Sequence, residues 1–263
     1  MKIKIDPELQ KITPSFKIGV LIADVVVTKN HSMDNLIQEF EQKLPKEYSI
    51  GDVVNIPIIK DGRDAYKKYG KDPSRYRLAV ESLYRRIVKG NTLYRINNVV
   101  DLGNVLSLQT KKSIAVLDYN QIQGDVIVRL GTEMDNYEGI GRGKINIAQI
   151  PLYEDNIGPF GSTTSDTERT KITNKTTRIL ILIISFSGMI KMEEEFLELL
   201  FEEINEQIDE EGRNRMSDNG DTSLHLAVKK ENPELIKLLL KSGSNINIKN
   251  ITFTVAFYKI TIS

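Results

Sequence analysis

The run FKIGVLIADVVV, Phe16 to Val27, is β-branched with little polar interruption. That pattern belongs to a strand covered on both faces. Such a strand needs packing partners on each side, so the chain is expected to fold as a mixed α/β (α+β) body with several strands and flanking helices over roughly residues 1–190. A second buried strand is expected where the polar segment SDTERTKITNKTT runs into RILILII. Its longest apolar run, Ile179 to Ile184 with its flanks, falls short of the ~18 residues a membrane span needs. No membrane partner is expected.

The stretch from Asp72 to Leu108, DPSRYRLAVESLYRRIVKGNTLYRINNVVDLGNVLSL, holds the strongest helix signals. Asp72 reads as an N-cap with Pro73 at the first helical position, and Tyr76, Val80, Leu83 and Ile87 recur at helical spacing until Gly90. The opposite face carries Arg75, Arg77, Arg85, Arg86 and Lys89, with Arg95 after the turn. One reading is structural: cations in the last turn complement the helix dipole, and Glu81 sits at four-residue spacing between Arg77 and Arg85. The other is a phosphate-binding patch, because several guanidinium groups on one face suit a nucleic-acid backbone. Val99 to Leu108 then predicts a second helix in which Asp101 and Asn104 interrupt an apolar surface. Buried polar side chains must be hydrogen-bonded. They serve either a cap or interhelix bond, or a ligand pocket.

Elsewhere the signals are shorter. Residues 1–11 alternate into Asp6-Pro7, predicting a short edge strand closed by a turn. Met33, Leu36, Ile37 and Phe40 share one helical face, and Pro45 is expected to end that helix. Val53 to Ile59 reads as a strand or an irregular connection, while Ile114–Leu117 and Asp125–Leu130 read as strands joined by DYNQIQG. GIGRGKI has three glycines but neither the Lys-Ser/Thr pair of a P-loop nor full Rossmann spacing, so it predicts an exposed hairpin loop. Asp166, Glu168, Arg169, Thr170 and Thr173 precede a buried strand, which suits either a site at a strand end or a salt-bridged turn.

Composition narrows the chemistry. With 36 basic and 36 acidic residues the formal charge is zero, so a nucleic-acid surface must be a local patch. Zero cysteines exclude disulfides, thiol catalysis and zinc ribbons. No metal or cofactor is expected. The start, MKIKIDPELQKITPSF, lacks the apolar run of a signal peptide, and a cytoplasmic location is expected.

Four segments in order, SRYRLAVESLYRRIVKG, INNVVDLGNVLSL, LDYNQIQGDVIVRLG and DTERTKITNKTTRILILI, resemble the editing (B3/B4) domain of the phenylalanyl-tRNA synthetase beta subunit, and especially freestanding proteins built around it. The core of the similarity is 64–187, within a B3/B4-like domain expected over 1–212. The resemblance implies a trans-editing deacylase that hydrolyses the ester of a mischarged aminoacyl-tRNA, with tRNA as partner. It implies Asn104, Glu168, Thr170 and Thr173 in the pocket, with Glu168 and Thr170 as catalytic residues and Asp101, Ala115, Asp118 and Arg169 among the substrate-binding ones. Holding the water in place supplies much of the rate for an already activated ester. RNA backbone would be held by Arg77, Arg85, Arg86, Lys89 and Arg95. Where the synthetase domain often has a histidine, this chain has Ala115, and its histidines, His31 and His225, lie elsewhere in the sequence. A general-base histidine is therefore not expected, and either substrate choice differs from the synthetase's or hydrolysis is absent. No element for aminoacylation itself is recognisable, which excludes a complete ligase.

A helical tail is expected to follow. Glu193 to Gly212 is an amphipathic acidic helix whose charge would face away from RNA. Asp218 to Asn250 resembles one ankyrin repeat, with Asp218, Gly220, Thr222, Leu224, His225 and Ala227 at its turn and first helix. The segment 213–263 is read as a truncated array, since a stable stack needs about three repeats. That segment implies a protein partner, and a second function class remains beside the enzyme: a non-catalytic RNA-binding or protein-interaction module.

Overall fold

The computed structural model describes residues 1–29 and 33–188. The acidic helix 193–212, the ankyrin segment, His31 and His225 lie outside the described residues. The body is a mixed α/β fold with three sheets.

Strand β1 (Ile3–Ile5) lies at the edge of a four-stranded sheet, pairing parallel with β4 (Val126–Leu130), which continues antiparallel to β7 (Pro151–Glu154) and then β8 (Pro159–Ser162). Asp6-Pro7 does not close a turn after it. Asp6 accepts the Glu8 N–H and Pro7 takes the first helical position, so the pair starts helix α1 (Pro7–Ile12). The second sheet has β9 (Arg178–Ser185) at its centre between β2 (Lys17–Asp24) and β3 (Ser113–Asp118), both antiparallel to it. Seven consecutive residues of β9 are buried, as its unbroken apolar run requires. The third sheet is the hairpin β5 (Asn136–Gly139) and β6 (Gly143–Asn146), whose connection has Gly141 at φ 64° and Gly143 at φ 67°. GIGRGKI is thus the hairpin loop its glycines predict.

Helix α2 (Asp34–Glu47) runs past Pro45, which sits in its last turn, where the missing N–H removes a single bond. The stretch read as a strand or a connection is a 3-10 turn, Val53–Asn55, leading into α3 (Pro57–Lys68). Helix α4 (Ala79–Val88) begins well after the predicted Asp72. Asp72 instead accepts the Ser74 N–H at 2.8 Å in a local turn, and the Ala79 N–H reaches out to the Thr163 carbonyl at 3.0 Å. Residues 72–76 therefore form a separate turn, with the Tyr76 N–H on the Asp72 carbonyl at 3.0 Å, ahead of the helix. Glu81 does not bridge Arg77 and Arg85 either. It is fully buried and takes two hydrogen bonds from Arg63 of α3, at 2.9 and 2.8 Å, and Arg63 also donates to the Pro73 carbonyl. Helix α5 (Asn98–Thr110) lies so close to β3 that a methyl group on Gly103 would stand 2.5 Å from Val116 Cγ2. Among the described residues no helix is long and apolar enough to cross a membrane.

Candidate functional site

The hydroxyl-rich turn after β8 is clamped by two tyrosines. Tyr137 of β5 shares a hydrogen bond with Ser162 Oγ at 2.7 Å and donates to the Ser165 carbonyl. Tyr66 of α3 bonds Thr163 and, at 3.0 Å, Thr164 Oγ1. Burial holds both phenols above their ordinary range, so both stay protonated donors.

Asp166 follows this turn. Its carbonyl accepts the Ile140 N–H of the β5–β6 connection at 3.0 Å. Its Oδ1 is sealed from solvent and has no hydrogen-bond partner, although the residue as a whole keeps some exposure. Burial pushes the carboxyl up from 3.8 to about 7. Room for it comes from Gly161, where a methyl group would stand 2.7 Å from that same Oδ1. After burial itself, the Asp166 charge is the next cause that raises the Tyr153 phenol.

Beside this turn a cleft of about 580 Å³ opens between the 71–82 segment and the β5–β6 hairpin. Arg75, Arg77 and Ser82 stand on one side, Arg142, Lys144 and Asn146 on the other, and Thr164 also lines it. Lys71 joins the walls: its Nζ lies 3.8 Å from the Tyr76 ring centroid and donates to Asn146 Oδ1 at 3.0 Å.

The residues singled out from sequence fall into three groups. Asp118, Thr170, Thr173 and Arg169 are brought together around the end of β3. The Asp118 N–H donates to the Thr170 carbonyl, Thr176 Oγ1 donates to Asp118 Oδ2 at 2.7 Å, and the Thr173 N–H donates to Thr176 Oγ1. Thr170 is fully buried with its hydroxyl on the Phe160 carbonyl, and Arg169 is spent on Asp155 and on the carbonyls of Gln121 and Gly158. Glu168 stands apart, its side chain 49% exposed and paired with Lys171. In the second group, Asp101 is buried and accepts the Ile96 N–H at 3.0 Å, while half-buried Asn104 forms no side-chain hydrogen bond with 166–176 among the described residues. Ala115 is buried in β3 opposite Leu182.

The third group is the basic face, which divides. Arg95 pairs with Asp34 and Glu41, Arg86 donates to the Thr92 carbonyl and stacks on Tyr94, and Arg85 reaches the Ile50 carbonyl at 3.4 Å. Arg77 and Lys89 are exposed, and Arg77 lines the cleft. Sequence reading passed over Arg142 and Lys144. Two cations flanking Gly143 in a hairpin connection were the available signal.

Fold and cleft define a mixed α/β domain with a cation-lined cleft beside an unpaired carboxyl. The B3/4 domain family model matches residues 61–206, more than half of the 263-residue chain, and the chain belongs to that family. An ankyrin-repeat model matches 219–251. Both bear out the resemblance read from the sequence. Among solved structures the chain is similar to an N-terminal fragment of the phenylalanyl-tRNA synthetase beta-subunit from Pyrococcus horikoshii, with 12% identity and a TM-score of 0.38. The match covers 77% of this chain and 47% of that one, so the chain spans about half the length of that neighbour. No curated protein matches.

Proposed function

We propose that this B3/4 domain is a trans-acting hydrolase of mischarged aminoacyl-tRNA, and that Asp166 is the residue that takes the proton from the attacking water. The observation that carries the reading is the Asp166 carboxyl, whose Oδ1 is buried without a hydrogen-bond partner, and burial pushes the group up to about 7. A general base works best with a pKa near the operating pH, and a carboxylate poised there replaces the histidine that Ala115 does not supply. Water attacks the ester carbonyl carbon while its proton passes to the Asp166 carboxylate through the oxygen other than the sealed Oδ1, since the residue keeps some exposure. The bond to the ribose oxygen then breaks, and that oxygen leaves with the proton. Family membership supports tRNA as the substrate class. Thr170 and Asp118 act as positioning residues, because their polar groups are spent within the protein.

Glu168, the carboxylate to which the resemblance points, is less suited to this work, being exposed and held by Lys171. Hydrolysis of a panel of mischarged tRNAs by wild type, Asp166→Asn and Glu168→Ala tests the reading. Wild type and Glu168→Ala are expected to clear the same species, with Asp166→Asn slower by about 100-fold or more. Clearance by Asp166→Asn at the wild-type rate would falsify the assignment. No clearance by any of the three, with tRNA still retained, would leave a binding module.

A further inference from the structure

The cleft between the 71–82 segment and the β5–β6 hairpin carries charge that its own lining does not neutralise. Arg75, Arg77, Arg142 and Lys144 all line it, no lining residue is acidic, and none of the four makes an ion pair or side-chain hydrogen bond among the described residues. All four are exposed residues. Lys71 feels the surroundings: burial lowers its ammonium, Glu133 offsets part of that, and Arg75 lowers it further. Like charges held on facing walls repel, and a bound anion reverses the sign of that contribution.

Among the remaining polar groups, Asn146 is biased toward donation. Asn146 Oδ1 already accepts from Lys71 Nζ and from the Ala148 N–H, which leaves its amide N–H groups to face a ligand. Ser82 Oγ donates its one proton to the Leu78 carbonyl at 3.2 Å and contributes no donor to the cleft, and Thr164 Oγ1 is engaged by Tyr66. Three guanidinium forks and an ammonium suit phosphate oxygens, which accept in the plane-matched pairs that Arg provides. At about 580 Å³ the cleft lies in the ~300–1,000 Å³ range of ligand sites and exceeds what one phosphate ion fills. Tyr76 and Ile145 add apolar surface of the kind a sugar or base packs against.

We propose that this cleft is a phosphate subsite that grips the backbone of a single-stranded RNA end from both walls, with Arg75 and Arg77 on one side and Arg142 and Lys144 on the other. The choice of RNA rests on the hydrolase reading above, whereas the phosphate chemistry stands on the cleft alone. In this arrangement the exposed hairpin is a binding element, and its Tyr137 and Ile140 hydrogen-bond to the turn that carries Asp166.

Binding of a short fluorescently labelled single-stranded RNA to the full chain, measured by anisotropy across a salt series, tests it. Arg142→Gln/Lys144→Gln is expected to bind roughly tenfold or more weakly. Its slope of log affinity on log salt should be shallower by about 0.7 for each lost contact. Lys89→Gln, outside the cleft, should match wild type. An unchanged slope in the double variant would overturn the subsite, as would a Lys89→Gln loss equal to it. Competition separates the sources of phosphate. Displacement by inorganic phosphate only in large excess over the RNA supports the RNA backbone, and displacement at parity overturns it. Asp166→Asn separates the two readings, because it should slow hydrolysis by about 100-fold or more while leaving RNA affinity and salt slope at wild-type values. If the double variant loses RNA while wild type hydrolyses no mischarged tRNA, the hydrolase reading falls and the subsite stands.

Discussion

Replacing Asp166 by asparagine should change how stability depends on pH, and the size follows from the site. The carboxyl is raised from 3.8 to about 7 by burial alone, with no cation or hydrogen bond opposing it. A carboxyl whose folded pKa lies above its unfolded one binds more protons when folded. Stability is therefore lost as pH rises from about 4 to about 7, and the full penalty stands above 7. With 1.36 kcal/mol for each unit, the penalty between pH 5 and pH 8 grows by about 2.5 kcal/mol, an upper figure because part of the residue reaches solvent. Asparagine keeps the shape and does not titrate, so whatever it costs in unpaired amide is the same at both values. Urea unfolding of wild type and Asp166→Asn at pH 5 and pH 8 gives the difference directly. The stability of Asp166→Asn relative to wild type should rise by about 1–2.5 kcal/mol from the lower pH to the higher. A relative stability that stays flat, or falls, would show that the carboxyl is hydrated or paired, and the general-base argument would go with it.

Two further outcomes test the scaffold around the cleft. Arg63→Met should cost about 3–5 kcal/mol in denaturant unfolding, because it strands the Glu81 carboxylate, whose side chain is 1% exposed, without its charged partner. A loss under 1 kcal/mol would mean that the pair is replaceable by the Met stem and water. Tyr66→Phe should lower stability by about 1–3 kcal/mol by leaving Thr163, fully buried, without its hydroxyl partner. Calorimetry showing no change in midpoint would remove the tyrosine clamp from the account of the turn.

Elements whose apolar residues keep one period were legible in the sequence, and those whose charges interrupt the period were not. Strand β9 is apolar almost throughout, so burial alone identifies it, and in helix α5 the apolar residues keep helical spacing around Asp101 and Asn104. Helix α3 buries Ile59, Gly62, Ala65 and Tyr66 on one face, but six charged residues share its twelve positions, and Pro57 at its start was the remaining cue. The start of α4 was misplaced because Asp72-Pro73 carries the same cap-and-proline signature that a free turn carries. Only the tertiary bond from Ala79 to Thr163 decides between them. Within the site, the segment 166–173 was legible as polar chain at the mouth of a buried strand. Which of its carboxylates matters was not legible, since Lys171 lies at the right spacing to satisfy Glu168, while the isolation of Asp166 depends on Gly161 and on what the fold fails to bring near it.

The cations show the same division between composition and geometry. A chain with equal numbers of basic and acidic residues can present a positive cleft only by spending its acids elsewhere, and here the spending is visible. Arg95 is held by Asp34 and Glu41, Arg129 by Asp135 and Glu154, Arg169 by Asp155, and Arg63 by Glu81. These pairs draw carboxylates away from the cleft, and one of them fixes Arg95, a cation that the sequence offers to RNA. What is left uncompensated comes from two segments more than sixty residues apart, Arg75 with Arg77 and Arg142 with Lys144, joined by Lys71 across Tyr76 and Asn146. A positive surface assembled in that way is invisible to any count along the chain. It depends on the hairpin staying folded against the 71–82 segment, so losing the Lys71 contact to Asn146 should weaken anion binding even though every cation of the cleft remains in place.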